Sequence, residues 1–136
     1  TDFFDGSVTE AAHVFVEPET VAGVHQARER FIKGDFDGLK KYHGPRYMDV
    51  FFAWNDIWSS ADFRNWDITS ILPEILCPQL IIQGQNDEYG TLKQVESIVR
   101  STKGKATTFT PDNCGHAPHQ TQSDRELPFA EPAGRQ

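Results

Sequence analysis

Two short motifs hold the side chains best suited to moving a proton in this sequence. Gln83-Gly84-Gln85-Asn86-Asp87-Glu88-Tyr89-Gly90 offers a carboxylate, and Cys114-Gly115-His116-Ala117-Pro118-His119 offers an imidazole. A buried carboxylate that accepts from an imidazole Nδ1–H fixes the ring tautomer and stabilises the imidazolium formed during proton transfer. The ring then serves as general base toward a nucleophile and as general acid toward a leaving group. Asp87 suits the first role and His116 the second. Read alone, Asp87 is better explained by a turn or a helix cap, and Glu88 is the nearest substitute. The glycine before His116 lets the backbone turn tightly enough to present the ring.

The surrounding pattern is what brings the two motifs together. An apolar run at 80–82 breaks at Gln83-Gly84 and delivers Asp87 on a loop. A β-prone run at 107–110 breaks at Pro111 and delivers His116. Between them Leu92, Val95, Ile98 and Val99 form one helical stripe. Thr91 with Gln94 three residues on reads as a capping box, and Gly104 as the stop. This is a strand–loop–helix–strand–loop unit. Parallel neighbouring strands end at the same sheet edge, so the acid and the histidine are expected side by side.

Together and in this order, the two motifs resemble the C-terminal part of the α/β-hydrolase family, in which the catalytic triad runs Ser, acid, His along the chain. The resemblance implies an α/β fold, namely a partial α/β-hydrolase fold with parallel strands and a helical cap insertion. It spans about residues 8–123 and matches only the second half of a fold that usually needs about 250 residues. It divides a single domain, 1–136, into a strand at 7–17, a helical cap at 18–76, the acid–histidine unit at 77–123 and an irregular tail at 124–136. The family ends in a long helix, which Pro128 and Pro132 forbid here.

The nucleophile is the difficulty. The family's Gly-x-Ser-x-Gly elbow sits beside the backbone N–H groups of an oxyanion hole. Ser7 follows Gly6, but Thr9 stands where the second glycine belongs, and Ser59, Ser60, Ser70, Ser97, Ser101 and Ser123 lack the context altogether. The expectation is therefore a serine-type hydrolase part whose serine and oxyanion hole come from an N-terminal hydrolase segment or another chain. The start at Thr1 reads as a trimmed or partial chain. The implied reaction is hydrolysis of a small apolar carboxylic ester or lactone, with carbon–carbon cleavage of a diketone as a close relative, and no cofactor. The alternative is a non-catalytic binding or oligomerisation module, because a partial sheet exposes an edge that invites self-association.

The remaining segments read as support for that site. Val8, Ala11, Ala12, Val14, Phe15 and Val16 imply a buried strand over 7–16, with His13 near its end. His13 is either a packed histidine or a substrate contact. Pro18 can open a helix carrying Val21, Val24, Ala27, Phe31 and Ile32, ended by Gly34. Asp35 can cap a short helix over Leu39 and Tyr42, and Pro45 starts another bearing Met48, Phe51, Phe52, Trp54 and Trp58. Residues 61–66 form a turn and 68–75 a short helix around Pro73. Trp54, Trp58 and Trp66 fall within this cap. Packing between helices accounts for most such aromatics, but some are expected to wall an acyl pocket.

Bulk properties narrow the partners. A net charge of −7 argues against nucleic acid and anionic membrane. No apolar stretch approaches the ~18 residues of a membrane span. Two cysteines, Cys77 and Cys114, make no disulfide framework and imply free thiols in a reducing, cytoplasmic setting. His116 and His119 form an H-x-x-H pair without a second ligand cluster, so no metal site is expected.

Overall fold

The computed structural model describes residues 4–121, so the tail at 124–136 lies outside the described residues. Three parallel strands form one sheet in the order β1-β2-β3: β1 (Ser7–Glu10), β2 (Gln79–Ile82) and β3 (Ala106–Phe109). β2 lies at the centre, with Ile82 facing Glu10 on one side and Phe109 on the other. Its continuous apolar run is explained by burial of every residue.

The core sits between this sheet, helix α4 (Lys93–Ser101) and a 3-10 segment at Thr69–Glu74. It is built from Val14, Leu72, Ile81, Val95 and Ile98, with Phe15, Ile68, Ile75 and Leu92 packed around them. Val99, assigned to the same stripe from its spacing, is instead 42% exposed at the border of that face.

Between β1 and β2 the chain forms the helical insertion. Helix α1 (Pro18–Lys33) starts on proline and stops at Gly34, which takes a left-handed φ of 92°. Helix α2 (Asp37–His43) and a 3-10 turn at Gly44–Arg46 lead into α3 (Tyr47–Ser59). Phe31 of α1 stacks on Phe51 of α3 with centroids 3.9 Å apart. The fully buried Asn55 donates to the Val24 carbonyl at 2.8 Å and accepts from Arg28 at 3.0 Å. Among the described residues no helix is long and apolar enough to cross a membrane.

Four local expectations fail for identifiable reasons. The strand expected over 7–16 ends at Glu10, where Ala11 adopts a φ of 50° and turns the chain aside. β1 alternates half-buried and exposed, with Val8 59% exposed, and among the described residues it hydrogen-bonds to β2 alone. Asp35 does not cap α2; Phe36 holds the N-cap position and the Asp35 carboxylate lies 3.6 Å from Arg30 Nε. Ile32 lies outside the buried stripe of α1 and is 72% exposed.

The capping box at Thr91 is replaced by a longer-range device. Gln94 is fully buried, but its side chain turns away from the helix start. Its carbonyl accepts from the Val14 N–H at 2.8 Å and its amide donates to the Phe15 carbonyl at 3.1 Å. Glu17 takes the vacated partner instead, accepting from the Thr91 N–H at 3.0 Å, the Thr91 hydroxyl at 2.6 Å and Gln94 Nε2 at 2.8 Å. Burial pushes the Glu17 carboxyl up, but these bonds outweigh it and hold the group below its ordinary value.

Candidate active site

Strands β2 and β3 end at one edge of the sheet, and the loops that follow them are stitched together by backbone. The Gln85 N–H donates to the Pro111 carbonyl at 3.0 Å and the Asn86 N–H to the Cys114 carbonyl at 2.8 Å. Gly84 is where the loops touch: a Cβ there would overlap the carbonyl oxygens of both Cys114 and Gly115. The left-handed turn before the histidine is made by Asn113, at φ 52°, rather than by Gly115. Asn tolerates that conformation better than most residues.

The result is a close acid–imidazole pair. His116 Nδ1 lies 3.0 Å from each Asp87 carboxylate oxygen. The Asp87 side chain is 0% exposed. It is pre-oriented by the Tyr89 N–H, which donates to Oδ1 at 2.8 Å, and by Gln83 Nε2 at 3.3 Å from Oδ2. Gln83 itself is anchored by donating to the Gly90 carbonyl at 2.7 Å. A carboxylate only accepts, so the neutral ring carries its proton on Nδ1 and keeps a lone pair on Nε2. The hydrogen bond to Asp87 raises the His116 pKa above its ordinary value, with burial opposing. The Tyr89 ring meets the imidazole edge-on at 4.8 Å.

Glu88 does not substitute for Asp87. Its backbone carbonyl meets helix α1 at Gly23, where a Cβ has no room, and its carboxylate lies beside Gly115. His119 is not a co-ligand of His116 either, since it turns to Glu10, with Nδ1 2.9 Å from Oε2. Among the described residues no cluster of three or more metal-binding side chains forms.

His116 opens onto a cavity of about 190 Å³ between the sheet edge and the cap. Val24, Thr20, Trp54 and Trp58 form its cap side, and Ala11, His13, Tyr89 and His116 its sheet side. Of the residues expected at a pocket, His13, Trp54 and Trp58 line this cavity. Trp66 lies one ring behind, against Trp58 at 5.8 Å and stacked on Phe63 at 5.3 Å.

A scan against protein-family models and a search of curated proteins give no match. Solved structures do match. An esterase from Exiguobacterium antarcticum superposes with a TM-score of 0.54 at 18% identity, over 88% of this chain and 53% of its own. An α/β hydrolase from a Medee basin deep-sea metagenome library gives 0.51 at 18% identity, over 86% and 51%. A thermophilic esterase from Thermogutta terrifontis gives 0.50 at 18% identity, over 88% and 52%. The chain thus spans about half the length of the structures it matches. It has the fold of the C-terminal half of an α/β-hydrolase.

In the frame of an α/β-hydrolase fold, the residues that motif reading overlooked become intelligible. Gln83, Gly84 and Tyr89 all hold the acid loop, and each lies within four residues of Asp87. Their signal was proximity to the acid. Glu17 and Thr20 had no such signal, because their roles arise only where the cap meets the sheet, nor had Asn55, which acts only where α3 packs on α1.

Proposed function

We propose that this chain is the acid- and histidine-bearing part of a serine-type α/β-hydrolase acting on a small carboxylic ester or lactone. Asp87 orients His116, and His116 Nε2 takes the proton from a serine supplied by another segment or chain. The same ring then returns a proton to the leaving alkoxide. The observation that carries this reading is the buried Asp87 carboxylate at 3.0 Å from His116 Nδ1, at the mouth of an apolar-walled cavity. Small volume and apolar walls favour a short acyl group. Residues 18–76 act as the cap over it.

The test is turnover of a chromogenic short-chain ester by this chain together with a serine-bearing N-terminal hydrolase segment, beside a His116→Ala version. Hydrolysis lost in the variant supports the reading. Equal rates in both sink it.

A second reading, a non-catalytic module, is favoured by one observation. Phe4, just before β1, and Val8, within it, are 67% and 59% exposed. Under that reading the chain self-associates without catalysing anything, and sedimentation shows a dimer with no esterase activity in any combination.

A further inference from the structure

The cavity has a polar side that ester hydrolysis does not use. His13 lines it, and among the described residues neither ring nitrogen has a hydrogen-bond partner, with Nδ1 fully buried. The ring is pinned. It meets Trp58 edge-on at 5.2 Å, and Gly90 approaches so closely that a Cβ there would lie 2.8 Å from His13 Cε1. Burial lowers the His13 pKa against the pull of Asp87, which favours the neutral ring. A buried, unpaired N–H is costlier than an unpaired acceptor, so the proton belongs on Nε2 rather than on the enclosed Nδ1. The Thr20 hydroxyl, on a residue only 1% exposed, is a second buried polar atom on the lining without a partner among the described residues.

From this geometry we infer that His13 is a specificity-determining residue whose Nε2–H donates to an oxygen on the acyl part of the substrate. The inference rests on reading this cavity as the acyl pocket and deepens it to a substrate class: short acyl groups bearing an oxo or hydroxyl oxygen at the α or β carbon. Its reach fits. The His13 and His116 ring centroids are 6.4 Å apart, so an ester whose reacting group lies beside His116 brings an oxygen one or two carbons along its acyl chain near His13. Its size fits as well. A cavity of roughly 150 Å³ accommodates benzene, so one of about 190 Å³ takes a chain of only a few more atoms.

The experiment needs no turnover. The 136-residue chain is titrated with methyl acetoacetate and with methyl butanoate while tryptophan fluorescence is followed, since Trp54 and Trp58 line the cavity. The oxo ester is expected to bind ~10-fold more tightly, as one net hydrogen bond would give. His13→Phe brings that ratio to about one, because it keeps the ring and removes the donor. His13→Gln retains most of the preference, because its amide places an N–H near the position of Nε2. Near-UV circular dichroism of each variant reports its packing. A ratio near one in the parent chain overturns the inference, and so do a preference that survives His13→Phe and a chain that binds neither ester. The two proposals fail separately. A binding preference without esterase activity in any combination sinks the hydrolase reading and leaves His13 as a ligand contact only, whereas activity without a preference sinks only the role of His13.

Discussion

The two sides of the cavity are held by different physics. The acid–histidine side is fixed by backbone: three parallel strands, two loop-to-loop N–H···O=C bonds and a glycine contact that admits no side chain. The cap side is fixed by side chains: stacked Phe31 and Phe51, the buried amide of Asn55 and a ring cluster around Trp58. Backbone ties define positions to fractions of an ångström, as proton transfer requires. Side-chain packing tolerates substitution of similar volume, as a wall that selects substrates can afford. Chemistry is therefore expected to be brittle on the sheet side and specificity adjustable on the cap side.

The largest expected effect tests the brittle side. Asp87→Asn removes the charge and permits the wrong imidazole tautomer, so kcat/KM for ester hydrolysis in combination with the serine-bearing segment is expected to fall by about 10³ to 10⁴. The sign with pH follows from the raised His116 pKa. Under the proposed function the ring must be neutral to accept a proton, so activity is expected to rise with pH through that pKa. The stability contributed by the pair runs the other way: it is complete below the unfolded value of 6.5 and is lost as pH rises through the folded one. NMR titration of the His116 ring in Asp87→Asn is expected to show a pKa moved down toward 6.5. An unmoved pKa would show that the two groups do not interact.

Gly84→Ala comes next. The added methyl meets two backbone carbonyls that cannot swing away as a side chain could. A loss of ~3 kcal/mol in urea unfolding is expected, in the range of overpacking and unpaired backbone groups. Activity should fall even at temperatures where the variant stays folded, because the shift separates the Asp87 and His116 loops. Full activity in a folded Gly84→Ala protein would show that the loop contact does not set the geometry.

This contrast also explains what could be read from the sequence. The acid–histidine unit was legible because each of its steps is local: the apolar run of β2, the break at Gln83-Gly84, the stripe of α4 and the glycine–histidine motif all lie in consecutive residues. The limits of β1 were not, because the positive φ of Ala11 leaves no compositional mark. Gln94 matched a capping-box pattern yet bonds residues of the segment before the cap, and Glu17 fills its place from far along the chain. Which tryptophans face the cavity was equally illegible, since the spacing that puts Trp54 and Trp58 there says nothing of Trp66.

Glu17→Gln probes a polar tie between the two regions. It sets an amide against three donors and is expected to lose about 2 kcal/mol at pH 7, as an unsatisfied buried group does. The carboxyl titrates below its ordinary value of 4.5 in the folded chain. Its stabilisation is therefore present above that value and lost as pH falls through the folded pKa, so the gap between parent and variant should close in acid. A gap independent of pH would assign the loss to packing rather than charge.

The smallest effect is expected at Ile32→Ser. Ile32 continues the apolar spacing of α1 but is 72% exposed, beyond the stripe formed by Val21, Val24 and Ala27. A surface change of this kind costs less than ~0.5 kcal/mol. Val24→Ala, one buried cavity-wall residue on the same helix, should cost several times more and widen the cavity. Measured together by urea unfolding, the pair asks whether the outer face of the cap is free surface. Losses of equal size would mean that Ile32 is covered in solution, and the cap would then be an interface as well as a wall.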